Sequence, residues 1–489
     1  MEYDLNEISG INKKNEIYDV VICGAGVSGI TVARKLVSFG KKVLLLEAGD
    51  LQPTTESQEI YQTHSIGVYY SGKDTCRLRY FGGTSNHWAG RCMTFEDVDF
   101  EDRPYFGIPS WPITKNDLDK YFLEACDILD ITPDDFQPWE FNNFKSDIFF
   151  APIHAASPPT RFGKKFRTEI TTSNKIDFVK NANVIDFEFL NDTFTQKCVI
   201  AKNYHNKTFK FYGKIFVLAC GTIENARILL NINLKHNIRI GNRYDMIGKC
   251  FMEHFNVDLG RFVADRQSLQ WKSQFELYPT ANFVKKNNIG SSVIAFHPNI
   301  EPDTYGRLAE LKRVVRDALC SSEPLTNLAR NIKDFDCPGD GIITTLCEQA
   351  PNKNSYITIC KEKDKIGLHK ACIHWDISDN DRRTIRTLAI SAAKELARLD
   401  IARIQLPSYI YNDEEDIETY FHCHQMGTTR MSTSEEHGVV DKNCKVFGTK
   451  NLYIAGSSVF STGSGVNPTF TIVQLSLRLA EYLAHKHKS

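Results

Sequence analysis

Gly24-Ala25-Gly26-Val27-Ser28-Gly29 constrains this chain more than any other run, because of what flanks it. Before it, Tyr18-Asp19-Val20-Val21-Ile22-Cys23 reads as a buried parallel strand; after it, Ile30, Ala33, Leu36 and Val37 recur at helical spacing. A second apolar run, Lys42-Val43-Leu44-Leu45-Leu46, ends in Glu47, 23 residues beyond Gly24. Glycines permit a tight turn and let backbone N–H groups approach a pyrophosphate. The helix N-terminus favours that charge, and an acid at Glu47 can accept hydrogen bonds from ribose hydroxyls. Strand, turn, helix and acid together predict a Rossmann-type dinucleotide site built from Gly24, Gly26, Ser28, Gly29, Glu47 and Ala48.

At 489 residues the chain is long for one core, so two domains are expected. Lysine plus arginine number 59 against 60 acids, a net charge of -1 that offers no footprint for nucleic acid or an anionic membrane. No window reaches the roughly 18 uninterrupted apolar residues of a membrane span. The first residues, Met1-Glu2-Tyr3-Asp4-Leu5-Asn6-Glu7, are acidic and lack a signal-peptide core. The 14 cysteines are scattered without a C-x-x-C pair, which predicts reduced thiols in a cytoplasmic protein. Export with a partner subunit stays open.

The nucleotide-binding signals fall at both ends of the chain. Lys214-Ile215-Phe216-Val217-Leu218-Ala219-Cys220 reads as a strand stopping at Gly221-Thr222, followed by a helix containing Asn225, Ala226 and Ile228. Asn451-Leu452-Tyr453-Ile454-Ala455 reads as another strand, ending at Gly456 and followed by Gly463-Ser464-Gly465-Val466-Asn467-Pro468 and a helix from Thr469 to about His485. Between them, Ser355-Tyr356-Ile357-Thr358-Ile359 and Ala371-Cys372-Ile373-His374-Trp375 alternate as strands of an antiparallel sheet, with helices near 307–320 and 380–399. The expected class is α/β (α+β overall): a discontinuous Rossmann-like domain over 15–100, 175–255 and 425–489, with an inserted antiparallel-sheet substrate domain over 101–174 and 256–424. Residues 300–340 read equally as core, lid or partner surface.

Three further segments can carry chemistry. In Phe81-Gly82-Gly83-Thr84-Ser85-Asn86-His87-Trp88-Ala89-Gly90-Arg91, paired glycines and small hydroxyls let backbone approach a flat ligand; the plainer reading is a turn whose histidine meets a carbonyl. In Phe421-His422-Cys423-His424-Gln425-Met426-Gly427-Thr428, His424 suits a general base, since neutral imidazole takes a hydroxyl proton near pH 7. The plainer reading is a pair of satisfied histidines. A metal at His422, Cys423 and His424 would need a second set of ligands, and none is evident, so no metal is expected. Asn467-Pro468 suits a helix cap and first turn, and the same helix would aim its positive end at whatever lies before it. His254, in Phe251-Met252-Glu253-His254, and His374 beside Trp375 read as buried, hydrogen-bonded histidines.

Taken together, these segments resemble the glucose–methanol–choline (GMC) family of FAD-dependent alcohol oxidoreductases. The resemblance covers both ends, half of the chain, and includes Val439-Val440-Asp441 and Trp111-Pro112-Ile113 with Leu118 and Tyr121. It implies FAD held by the first motif and by Gly83, Thr84, Asn86, His87, Ala219, Gly221, Gly456, Ser457, Pro468 and Thr469. It implies a catalytic pair, His424 and Asn467, with His424 taking a hydroxyl proton while hydride leaves for flavin N5. The Asn467 version is similar to the pyranose oxidase, fructose dehydrogenase and gluconate dehydrogenase branch, so a sugar or sugar-like secondary alcohol is expected. His87 aligns with a histidine that some members join covalently to FAD. Ser457 departs from the family, where many members carry Asp. Two alternative classes are an NAD(P)-linked flavin reductase, which would need a second dinucleotide fingerprint, and a catalytically silent FAD-binding partner protein, which would have no need of His424 and Asn467 together. The electron acceptor, O2 or another oxidant, stays open, as does assembly into an oligomer or with a partner subunit.

Overall fold

The computed structural model describes residues 1–7, 16–70, 74–138, 144–190, 195–264, 275–298, 341–412 and 414–486, with isolated helical positions between 315 and 328. The expected helix near 307–320 and most of 300–340 therefore lie outside the described residues.

Apolar runs buried on both faces need partners on both edges, and parallel pairing supplies them. Ile17–Cys23, with Val20 to Cys23 fully buried, is flanked by Val43–Leu46 and Thr208–Leu218, both parallel to it. Ile176–Lys180 follows Val43–Leu46, and Glu2–Asp4 closes that edge. On the other side, Thr208–Leu218 pairs antiparallel with Gln196–Lys202, which pairs with Asn183–Phe189. The short strand Leu452–Ile454 also lies parallel to the end of Thr208–Leu218, at Phe216 to Leu218. The eight strands thus join the two ends of the sequence in one sheet. The run expected over 214–220 starts earlier, at Thr208, because its first residues are held by the antiparallel neighbour rather than by the parallel one.

Helices Val27–Ser38 and Thr469–His485 pack against each other, and Thr222–His236 follows Thr208–Leu218 across a glycine. A second sheet, of seven antiparallel strands among the described residues, contains Phe255–Ala264, Phe275–Pro279, Ser292–Pro298, Gly341–Cys347 and Ala402–Gln405. Helix Asp379–Arg398 packs on it, capped by Ser378, whose hydroxyl accepts from the Asp381 amide.

Two expectations are corrected. Tyr356–Lys363 and His369–Trp375 pair antiparallel but stand outside the large antiparallel sheet; they form a three-stranded sheet in which His64–Gly67 is parallel to His369–Trp375. Alternation reports a half-buried strand, not its partner. The cysteines are not all reduced: Cys76–Cys423 and Cys360–Cys372 are disulfides, with Cα atoms 5.4 and 5.7 Å apart. Folding brings together residues 347 positions apart, which spacing along the chain cannot report. Such bonds persist in oxidising compartments, so the cysteines no longer favour the cytoplasm. No helix among the described residues is long and apolar enough to cross a membrane.

The glycines of the first turn differ in what they tolerate. A Cβ on Gly29 would lie 1.9 Å from the Gly24 carbonyl oxygen, whereas one on Gly26 would meet nothing within 4 Å. Gly29→Ala is therefore expected to lower thermal stability by roughly 1–3 kcal/mol or more, the usual cost of overpacking, while Gly26→Ala melts near the parent temperature. Equal melting temperatures for the two variants would contradict this packing.

Candidate active site

Three parallel strands stop at one level, each followed by a glycine and a turn of helix. Ile17–Cys23 leads through Gly24 and Gly26 into Val27–Ser38; Thr208–Leu218 leads through Gly221 into Thr222–His236; Leu452–Ile454 leads through Gly456 into the turn Ser457–Val459. Gly24, at φ 104°, takes a conformation that L side chains rarely adopt, and a Cβ there would lie 2.5 Å from the Ala219 carbonyl oxygen. The strand ends can approach only because that side chain is absent.

A cavity of about 600 Å³ opens over these ends. It runs from Glu47, Ala48, Ala182 and Val184 to His422, His424 and Asn467. Of the residues expected at the cofactor, Gly24, Gly26, Ser28, Glu47, Ala48, Gly83, Thr84, His87, Ala219, Gly221, Gly456, Ser457, Pro468 and Thr469 line it. Gly29 and Asn86 do not. Gly29 lies behind the turn, and the Asn86 amide is engaged by the Phe81 carbonyl and the Gly163 N–H, bracing the loop. The wall also includes Arg91, Thr222 and Gln425, which belong to segments read from the sequence, and Tyr61, Arg77, Arg79, Tyr80 and Glu224, which the sequence motifs do not include. Those five stand outside the motifs, where no local pattern marks a wall.

Glu47 is buried, and its carboxylate accepts from the Ala25 N–H at 2.8 Å and the Gly49 N–H at 2.9 Å. It therefore braces the glycine turn as well as facing the cavity. Where many members of the resembling family carry an acid, the Ser457 hydroxyl donates to the Gln425 carbonyl at 2.8 Å and meets Thr222 Oγ1 at 3.0 Å. Tyr80 Oη lies 2.8 Å from His87 Nε2.

At the far end, His424 Nε2 faces Asn467 Nδ2 at 3.3 Å. Asn467 is not a helix cap, which corrects the capping expectation. Pro468 occupies the cap position of Thr469–His485 without a side-chain bond, and the Asn467 amide is turned to His424 instead. Among the described residues, buried Asn467 Oδ1 has no hydrogen-bond partner. The other side of His424 meets His254, which the sequence pattern places in the core. His254 is fully buried, as expected, but its Nδ1 lies 3.0 Å from His424 Nδ1. Beneath the pair, Glu253 accepts the backbone N–H groups of both His254 and His424 and the hydroxyl of Tyr70.

Burial sets the protonation here. It drives the His424 imidazole well below the usual histidine range, helped by His254, His422 and Arg91, and lowers His254 to about 4. It also lifts Glu253 to about 8. The Cys76–Cys423 disulfide lines the cavity beside these groups and ties the 74–80 segment to the turn before His424, where Cys423 has φ 63°.

The site fits FAD. The strand–glycine–helix ends present backbone N–H groups and positive helix termini to a pyrophosphate, and the positions where Cβ atoms of Gly26 and Gly221 would stand meet nothing within 4 Å. The family model for GMC oxidoreductases matches residues 351–476. The chain is 33% identical to a long-chain-alcohol oxidase of Arabidopsis thaliana, over 96% of this chain and 67% of that protein. It is 24% identical to the fructose dehydrogenase large subunit of Gluconobacter japonicus, over 96% of this chain and 98% of that protein. A solved fungal aryl-alcohol oxidase shares the fold with a TM-score of 0.61 at 13% identity, over 97% of this chain and 100% of that one. The chain belongs to the GMC oxidoreductase family. It is an FAD-dependent oxidoreductase acting on CH–OH groups.

The disulfides are open to direct mapping. Protein unfolded in alkylating reagent without reductant is expected to yield linked peptides containing Cys76 with Cys423 and Cys360 with Cys372. Alkylated Cys76 or Cys423 in that digest would refute the bridge at the site.

Proposed function

We propose that this enzyme oxidises a secondary hydroxyl of a sugar or sugar-like polyol, with His424 as general base and Asn467 holding the hydroxyl oxygen. The observation that carries this reading is the 3.3 Å pairing of His424 Nε2 with Asn467 Nδ2 at one end of the cavity. When bound, FAD supplies the acceptor for the hydride that leaves the carbinol carbon. A hydroxyl lying between the two side chains gives its proton to His424 Nε2 and accepts from the Asn467 amide. Taking that proton raises electron density on the carbon and eases the departure of hydride. The residue types around this point favour a polyol over an apolar alcohol. His422 shares the wall, and Asn467 Oδ1, which has no partner among the described residues, can accept from a neighbouring hydroxyl. An apolar chain would leave Asn467 Oδ1 desolvated and unpaired.

On this reading residues 15–100, 175–255 and 425–489 hold FAD, and 101–174 and 256–424 face the substrate. Likeness to a protein named as a large subunit supports assembly with a further subunit. Anaerobic bleaching of the flavin in a panel of D-fructose, D-glucose, a C-glycoside and dodecanol tests the substrate class; fastest bleaching by dodecanol would reverse it.

His424→Ala should slow flavin reduction by the best of these substrates by roughly 10²–10⁴-fold, the usual worth of a positioned base. Stopped-flow traces matching the parent would exclude His424 from that role. Because burial holds the imidazole far below its ordinary 6.5, the base stays neutral as pH falls through that value, and the parent's reduction rate should stay flat there. A rate that halves at pH 6.5 or above would point to a different base.

His87 is the proposed point of covalent FAD attachment, supported by its place on the cavity wall and its bond to Tyr80. Acid precipitation of the holoprotein should then leave a yellow pellet; a colourless pellet under a yellow supernatant would rule the bond out.

A further inference from the structure

His254 Nε2 points at two backbone carbonyls, those of Ser464 at 2.8 Å and Gly463 at 3.2 Å. A nitrogen facing two acceptors must carry the proton. The neutral ring then has its lone pair on Nδ1, and that lone pair faces His424 Nδ1 at 3.0 Å. Two lone pairs cannot face each other at hydrogen-bond distance, so the proton between the rings belongs to His424. Its Nε2 is left bare, toward Asn467 and the cavity. We infer that His254 is a positioning residue that fixes His424 as the Nδ1–H tautomer, so that Nε2 is always the basic nitrogen. The inference rests on the reading of His424 as the base and adds the reason that reading needs.

The carbonyls that orient His254 are themselves held. Ser464, at φ 55°, donates its N–H to Glu348 Oε1 at 3.1 Å and its hydroxyl to Asp99 Oδ2 at 2.8 Å. Glu348 is paired through both oxygens with buried Arg103, at 2.6 and 2.7 Å. The same loop carries Asn467. One rigid strap therefore sets the amide on one side of His424 and, through His254, the proton on the other. Once His424 has taken the substrate proton it carries hydrogen on both nitrogens, and His254 Nδ1 remains a fixed acceptor for the Nδ1–H. The neutral histidine thus occupies the place that a carboxylate holds in hydrolase triads.

Two substitutions separate this role from simple packing. In His254→Asn the amide oxygen can stand near the former Nδ1 and accept from His424. In His254→Gln the amide reaches the former Nε2, keeping the Ser464 contact and losing the acceptor. With the fastest substrate of the panel, His254→Gln should slow anaerobic flavin reduction by roughly 10²–10⁴-fold with little change in substrate affinity, and His254→Asn should recover at least about tenfold of that loss. Equal rates for the two variants would overturn the relay. Nitrogen-15 NMR of histidine-labelled parent holoprotein at pH 7 reads the tautomer without any variant. A proton on His424 Nδ1 and a bare Nε2 is expected, and a proton on His424 Nε2 would overturn the relay whatever the kinetics. Normal flavin reduction by His424→Ala would instead remove the base itself, so the two failures are told apart.

Discussion

Parallel pairing of three strands from distant parts of the chain is the constraint on which this molecule depends. Val217 stands beside Ile22 on one side and Tyr453 on the other, so residues near positions 20, 217 and 453 end at one level of one sheet. A strand that ends there must release its chain into a turn, and the turns are crowded. Gly24 is pressed against Ala219, and Gly29 against Gly24. Nothing larger fits, and the crowding aims the starts of the helices at the same cavity.

The substrate end rests on a different kind of order. Arg103, Glu348, Asp99, Glu253 and His254 are all buried, which in a dry interior is tolerable only when each is hydrogen-bonded or paired. Removing one partner of a buried pair such as Arg103–Glu348 typically costs about 3–5 kcal/mol, because the other charge is left behind. What such groups provide is direction. Each has few acceptable partners, so Ser464 and His424 have few acceptable orientations, and a base and a hydrogen-bond donor can be held 3.3 Å apart before substrate arrives.

The cavity joins these two regimes, one made of missing side chains and one of satisfied polar ones. The Cys76–Cys423 disulfide crosses between them, linking the segment after Tyr70 to the turn that presents His424. The aromatic ring of Tyr70 packs edge-on to Phe251, Trp375 and Phe421, so that side of the turn is buttressed by apolar mass as well.

Much of this was legible in the sequence, and for a physical reason. The glycine turn, Glu47, the strands ending at 218 and 454, and the helix Thr469–His485 are local: side-chain period, helix signals and glycine spacing act over a few residues and leave marks there. The sheet that receives Tyr356–Lys363, the cysteine pairs, the wall residues Arg77 and Arg79, and the partner of His254 were not legible. Each is a relation between segments, some more than a hundred positions apart, and no local pattern encodes it. Asn467 shows the boundary most clearly. Its type and its place before a proline suit a cap, yet its amide faces His424, because the strap that carries it is oriented by Glu348 and Asp99 from other parts of the fold. The sequence by itself determined which backbone could bend and which side chains could do acid–base chemistry. Tertiary structure alone decided which of them meet, since hydrogen bonds and burial depend on distances in space that linear spacing does not contain.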